Sequence, residues 1–595
     1  MPFSVSSVWK NIVLVGLFLL AGLALLAYIA YKEPTPPASQ AFLGGQVLTM
    51  DQNNRIAEAV WVKHGRIALV GSDAEVLAHV DHETELIQLQ GRTLLPGFID
   101  AHGHFPGTGI ASIGADLTAP PVGRVTSIEK LQSRLRKALK KQGGKGLLFG
   151  FGYDDTLLLE NRHPTRVELD AISLDVPVVI MHVSGHMLVG NSVALKLANI
   201  HRDTPDPEGG YIGRDESGEP NGFLEETARL TLQNIAMDFS VRQILTMTNA
   251  AVEDYLSHGV TTAQAGAVAP RQVAAFRVMS RLGIIPLRLV YFPFYDDWEK
   301  RLLQGDYQQQ RQSNGRFIAG AVKLMADGSI QAYTGYLSEP YHTPPPPRHG
   351  EQGGVDGSTE LFRGWPLMPF AELQERVTAL HKKGYQMAIH GNGDAAIDDI
   401  LRAFKAAQRE YPVDDPRLIL IHAQMSREDQ LQAMQELGVT PSFFSAHTWF
   451  WGDRHRDVFL GERRAENISP AASAQSLGLK YSVHLDSPVV PMRPLQALWS
   501  TVYRKTRSGK ILGKAQRVDM MQALRALTID AAWQVFQEEN IGSLEPGKAA
   551  DMIILNGNLL DAGEKKLRKM KVDRTLVGGV TLYQREKFPL PVVQN

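Results

Sequence analysis

"TLLPGFIDAHGHFPG", residues 93–107, is the stretch on which the fold turns. An apolar run that reads as a buried strand ends in two histidines, His102 and His104, one residue apart. Side chains at i and i+2 of a strand share a face. A strand continuing through this stretch therefore points both imidazoles the same way. Packing seldom requires such a pair, whereas imidazole is the commonest metal-ligating side chain. By itself the pair leaves two readings open, a metal site and satisfied core histidines.

The chain beyond it narrows the choice. Counting 94–104, there are eight apolar runs separated by helix-like stretches, the others being 259–266, 285–294, 317–327, 385–390, 418–422, 439–444 and 481–486. Strand–helix alternation implies a parallel sheet, and eight is the number a closed (β/α)8 TIM barrel needs. A ninth run, "VPVVIMHV" at 176–183, is assigned to a long insertion at about 106–250 between the first and second strands. Ionisable residues fall at the carboxyl ends of the runs: His102 and His104 on the first, Lys323 on the fourth, His390 on the fifth, His422 on the sixth and Asp486 on the eighth. That end carries the chemistry of βα barrels. Burying one unpartnered polar group costs several kcal/mol, so six converging on one rim are not explained by packing.

Composition removes whole classes. At 595 residues the chain exceeds the ~250–300 at which a single core stops growing. Lys plus Arg number 62 against 63 Asp plus Glu, without the basic footprint of a nucleic-acid binder. There is no cysteine, hence no disulfide, thiolate ligand or cysteine nucleophile. A metal site must use His, carboxylates or a modified Lys.

The amino terminus stands apart. Residues 12–31 are 20 uncharged, mostly apolar residues, about what a bilayer crossing needs. Trp9 and Tyr28 or Tyr31 are placed to sit at its interfaces. The expectation is a single-pass anchor, with Lys10 on the cytoplasmic side and the body on the periplasmic or extracytoplasmic side. "KEPTPPAS", 32–39, follows as a stiff spacer. Short strand-and-turn patterns at the two chain ends lack the strands for independent sheets and are expected to combine into one β-sandwich. The expected division is an anchor and linker over 1–36, sandwich parts at 37–97 and 540–595, and a barrel with its insertion over 98–539.

"PGFIDAHGH", "GVTTAQAG", "VKLMADGS", "HGNGD", "HAQ", "HLDSPV" and "GSLEPGKAADMIIL", in this order and spacing, resemble the amidohydrolase superfamily. The likeness is to its third family, the branch of D-aminoacylases and N-substituted formamide deformylases. "GYDD", "HPTRVELD" and "NGFLEETA" extend it through the insertion. The resemblance implies a two-metal site, most often zinc. His102, His104 and Asp486 would hold the buried ion, His390 and His422 the exposed one, and a carbamate on Lys323 would bridge them. It further implies that a bridging hydroxide attacks a carbonyl carbon, with Asp486 as general base and then acid. Tyr153, Asp154, His186 and Glu226 match positions near the substrate. The chain departs from the family at Ile421, where relatives often have Glu, and at His484 and Leu485, where they often have Gly-Ser. His484 shares the inward face with Asp486 as a substrate-facing group or as a partner of a ligand. Asp394, four residues after His390, either orients that ligand or caps a helix. His447 and Arg464 lie in the loop after the seventh strand, and 344–354 reads as a loop over the barrel mouth.

The implied function is a membrane-anchored hydrolase of a carbon–nitrogen bond in a small-molecule amide, a non-peptide amide or an N-acyl or N-formyl amine, with a homo-oligomer left open. Cyclic imide, ureide, ester or lactone hydrolysis would use the same metals. A non-catalytic binding or regulatory protein predicts missing ligands, and none of the six is missing. Ring deamination fits less well, because enzymes of that kind usually lack a ligating Lys on strand four.

Overall fold

The structure, a computed structural model, describes residues 35–345 and 362–585, the strand Val592–Val593, and the helical positions Gly16 and Gly22. Its centre is a TIM-barrel-like α/β arrangement of parallel strands: β1 (Phe98–Ile99), β2 (Val260–Val268), β3 (Arg288–Pro293), β4 in two pieces (Phe317–Ala319 and Val322–Met325), β5 (Met387–Gly391), β6 (Leu418–His422), β7 (Val439–Phe443) and β8 (Ser482–Val483). Helices between them, such as Asp394–Glu410 and Glu428–Leu437, bury apolar faces against the sheet.

The barrel is not closed by one continuous ladder, contrary to the expectation of a closed (β/α)8 barrel. β1 to the first piece of β4 form one sheet and the second piece of β4 to β8 form another. At Gly320, where a Cβ would stand 2.5 Å from the Phe292 ring, β4 breaks between the two. β1 and β8 are two residues each and do not pair with one another. The seam is joined at its top by Asp486 N–H donating to His102 O (3.1 Å) and His104 N–H donating to Ser487 O (2.8 Å).

The opening stretch itself divides. Thr93–Pro96 pairs with Gln46–Leu48 and Met552–Leu555, and only Phe98–Ile99 joins the barrel. Between them, a Cβ on Gly97 would lie 2.2 Å from Thr261. The strand stops at Ile99, so His102 and His104 sit in the loop after it. Alternation along a strand is not what aligns them; the seam hydrogen bonds are.

Two mixed sheets interleave strands from both chain ends around one apolar cluster, including Phe42, Val60, Leu94, Leu544, Met552 and Leu576. Burying each such side chain contributes roughly 1.5–3 kcal/mol. Arg288 of β3 grips Asp551 with Nε at 2.6 Å and Nη2 at 3.3 Å, tying these sheets to the barrel. The segment after β1 forms a separate six-stranded sheet that includes Leu148–Tyr153, Val178–His182, Met187–Gly190 and Pro220–Glu226.

The membrane anchor is withdrawn, and the membrane localisation with it. Among the described residues no helix is long and apolar enough to cross a membrane. Val241–Ser257 and Asp394–Glu410, 17 residues each, bury one face and carry ionisable groups on the other. Except for Gly16 and Gly22, residues 12–31 lie outside the described residues, as does most of the 344–354 loop.

Candidate metal centre

Ladder register stacks the site. Lys323 pairs with Ala388, Met325 with His390, and Gly391 with His422. Lys323 thus starts one layer below His390 and reaches up into the barrel, 2 % exposed. Its Nζ comes 3.4 Å from His102 Nε2. Burial pushes its ammonium down to about 7.

Hydrogen bonds fix which ring nitrogens are free. Gln264 Nε2 donates to Ala101 O (2.7 Å), so Gln264 Oε1 faces His102 Nδ1 at 2.8 Å and accepts its proton. His104 Nδ1 donates to Gly266 O at 2.7 Å. Both rings therefore turn an Nε2 lone pair inward, the tautomer that a partner on the far nitrogen imposes on ligating histidines. These two nitrogens stand 3.6 and 3.2 Å from Asp486 Oδ1, a buried oxygen with no hydrogen-bond donor. His390 Nε2 lies 3.0 Å from Gly328 O and 2.9 Å from Asn392 Nδ2, and His390 Nδ1 lies 3.1 Å from His422 Nε2. His422 Nε2 lies 4.0 Å from Asp486 Oδ2, so one carboxylate joins both halves.

An acceptor-only carboxylate oxygen facing two imidazole lone pairs is repulsive without a cation. Ligands on one tetrahedral zinc stand roughly 3.2–3.4 Å apart, given bonds of ~2.0–2.1 Å; His104–Asp486 at 3.2 Å falls in that range, and His102–Asp486 at 3.6 Å lies just beyond it. The donor set fits metal ions. Burial, reinforced by Lys323, drives His102 and His390 well below the usual imidazole range; for His422 burial acts with His390. Burial alone would raise Asp486, yet the surrounding His104, His422 and His102 hold its carboxyl well below the usual range. His422 and Asp486 both adopt left-handed backbone, φ 71° and 52°, a conformation that costs about 1–2 kcal/mol outside glycine.

Other candidates divide. His484 Nε2 lies 3.1 Å from His422 Nδ1, and His484 Nδ1 lies 2.9 Å from Ser442 Oγ, so its ring is committed to supporting His422. His186 pairs through Nδ1 with Glu226 (2.9 Å) and lines the pocket beside His390. Tyr153 and Asp154 do not line that pocket: Tyr153 Oη meets His163 Nδ1 (3.1 Å), and Asp154 caps the turn at Thr156. Asp394 does not reach His390; it accepts from Ser338 N and Arg427. Arg464 binds main-chain carbonyls at Leu460 and Pro340, while His447 lines the pocket. Sequence reading missed Gln264 and Asp327. Asp327 accepts from the main chain of Asn392, Gly393 and Tyr336 (2.8–3.0 Å) and pins the turn that follows His390 at the end of β5. Both lie inside quoted family stretches, Gln264 in "GVTTAQAG" and Asp327 in "VKLMADGS", which was the signal available for them.

Gly266 shows how tightly His102 is seated, since a Cβ there would lie 2.6 Å from His102 Cε1. Gly266→Ala is expected to weaken divalent-metal affinity by ~10–100-fold, read by chelator competition, with unchanged circular dichroism. Unaltered affinity would exclude His102 as a ligand.

Lone-pair donors converging at the carboxyl ends of a TIM-barrel-like fold define a metal-dependent hydrolase. The chain belongs to the amidohydrolase family, whose sequence profile matches residues 85–583, and is a hydrolase of carbon–nitrogen bonds other than peptide bonds. It is 29 % identical to an N-substituted formamide deformylase of Arthrobacter pascens, covering 91 % of this chain and 98 % of that one. It is 26 % identical to a putative amidohydrolase, YtcJ, of Bacillus subtilis strain 168, over 91 % and 99 %. A solved metal-dependent hydrolase from Pyrococcus horikoshii OT3 superposes with a TM-score of 0.69 at 25 % identity, covering 89 % of this chain and 99 % of that one.

Proposed function

We propose that the chain hydrolyses neutral N-substituted amides, N-formyl amines foremost, with two divalent ions held by His102, His104, Lys323 as its carbamate, His390, His422 and Asp486. One observation carries the substrate class. Beside His186, His390, His422, His447 and Asp486, the pocket is lined by Ser184, Ser329, Gln331, Asn392, Phe444 and Val489, and among these described residues there is no Lys or Arg. A substrate carboxylate there has no side-chain cation to pair with and would compete with the amide carbonyl for the divalent ions. N-acyl amino acids therefore fit worse than neutral amides. The relative that is named an N-substituted formamide deformylase supports the same class.

Bound divalent ions would supply a Lewis acid and lower the pKa of a water to ~7. The chain's own groups do the rest. Asp486 accepts a proton from the attacking water and returns it to the leaving nitrogen. His186 is held by Glu226 through Nδ1 and, as the imidazolium, would donate from Nε2 to the carbonyl oxygen. Gln264, Gly266 O, Gly328 O and His484 keep the ligand rings oriented.

With metal-loaded full-length protein, kcat/KM for an N-alkyl or N-aryl formamide is expected to exceed that for an N-formyl amino acid of equal size by at least tenfold, about 1.4 kcal/mol. Preference for the carboxylate-bearing substrate, or for a cyclic imide, would overturn the assignment.

A further inference from the structure

The described residues hold a second histidine–carboxylate cluster outside the metal-ligating set. Ligand atoms of Asp154, Asp155 and His182 lie within 4.8 Å of one another. A cation is not needed to explain it. Asp154 accepts from Thr156 N (3.1 Å) and Trp451 Nε1 (3.4 Å), and Arg454 Nη1 lies 3.9 Å from its carboxylate. Positive charge is already supplied.

What does explain the cluster is the direction of its hydrogen bonds. Ser184 main-chain N–H donates to His182 Nδ1 at 3.2 Å. An N–H can only donate, so Nδ1 is unprotonated and the ring proton sits on Nε2. That nitrogen is 3.1 Å from Asp155 Oδ1, close enough for charge attraction but without hydrogen-bond alignment. Ser184 Oγ lies 2.8 Å from the same Nδ1, and with a lone pair on the nitrogen the hydroxyl must be the donor. Ser184 Oγ accepts from His186 N–H (3.2 Å), which leaves one lone pair on a side chain that lines the pocket. Asp155 and His182 are buried. Carboxylate, imidazole and hydroxyl thus stand in series, with the hydroxyl at the pocket wall. This is the arrangement that activates a serine, here with Nδ1 toward the serine and Nε2 toward the acid.

We propose that Asp155, His182 and Ser184 form a nucleophilic relay, a second catalytic centre opening on the same pocket, that takes the acyl group of a small activated ester without metal. Ser184 Oγ bonds to the ester carbonyl carbon as its proton passes to His182 Nδ1. Asp155 stabilises the resulting imidazolium by its charge, 3.1 Å from Nε2. The carbon–oxygen bond to the leaving phenol or alcohol breaks, and that oxygen takes the proton from Nδ1. Water repeats the cycle and releases the acid. Ser329, whose buried Oγ has no hydrogen-bond partner, lines the same pocket and supplies a donor for the developing oxyanion.

The test uses the full-length protein as purified, with and without chelator. Phenylmethanesulfonyl fluoride is expected to give one sulfonyl adduct, on Ser184 by peptide mass spectrometry, with fluoride released and the labelling rate unaffected by chelator. A phenyl ester quenched in acid should leave its acyl group on the same residue. His182→Gln is expected to slow labelling at least ~10²-fold. The near-isosteric Asp155→Asn should slow it while leaving the thermal transition in place, a second readout if His182→Gln does not fold. Absence of an adduct on Ser184, a rate unchanged in both variants, or labelling lost on chelation would overturn the relay. None of these outcomes depends on amide turnover, so failure here and failure of the metal-dependent assignment are separable.

Discussion

Asp486→Asn is expected to lower turnover of the preferred amide by roughly 10²–10⁴-fold, the range associated with a positioned acid–base group, with the fold intact. Asn is the appropriate replacement for two reasons. It keeps the shape and one carbonyl oxygen, and it is among the few residues that tolerate the left-handed backbone present here, φ 52°. What it removes is the charge and the proton acceptor. Asp486 is the one carboxylate that reaches both halves of the site, Oδ1 toward His102 and His104 and Oδ2 toward His422. The variant should therefore also bind metal more weakly, and turnover must be compared at saturating metal with stoichiometry measured on the same samples. Full metal content with near-wild-type turnover would remove Asp486 from the proton path.

The sequence displayed the barrel because its strands are near-continuous apolar runs, the signature of a parallel sheet buried on both faces. Val439–Phe443 and Leu418–His422 needed little more than reading. The break in β4 and the open seam were invisible, since each depends on a contact with a distant element, Phe292 against Gly320 and the His102 carbonyl against Asp486 N–H. His102 illustrates the limit. Its identity was legible, but the reason it points inward was not strand alternation; Gln264 and the seam bonds orient it after the strand has ended. Asp394 failed in the opposite way. Spacing on the chain placed it near His390, while Ser338 and Arg427, remote in sequence, captured its carboxylate. Ser184 carried no sequence signal at all, because a serine two residues after a histidine is ordinary until an acid arrives at the ring's far side. The anchor was inferred from an apolar run of bilayer length with its flanking aromatic and charged residues, and no described helix supports it.

Lys323→Met should change stability in opposite directions with and without metal, which makes it the most informative single substitution. In metal-free protein Lys323 titrates at about 7 instead of its ordinary 10.5, because folding takes the ammonium out of water. Between those two values the unfolded chain binds more protons than the folded one, so stability rises with pH through this window. Below pH 7 the cost of the buried charge is fully present. Metal-free Lys323→Met, which keeps the bulk and loses the charge, is therefore expected to be the more stable protein at pH 7, by an amount on the order of several kcal/mol. The difference should fade as pH approaches about 10.5, read by denaturant unfolding across pH. At saturating zinc the order should reverse. A ligand that binds only the folded chain adds RT ln(1 + [L]/Kd) to its stability, and loss of the carbamate proposed on Lys323 should remove at least one equivalent of metal and lower turnover at least ~10²-fold. A wild-type metal-free stability flat from pH 7 to 10 would deny that the lysine is buried as an amine. A variant holding its full complement of metal would deny that the amine, once carbamylated, is a ligand. The two measurements address different states of one side chain, so they can fail independently, and the carbamate assignment requires both to succeed.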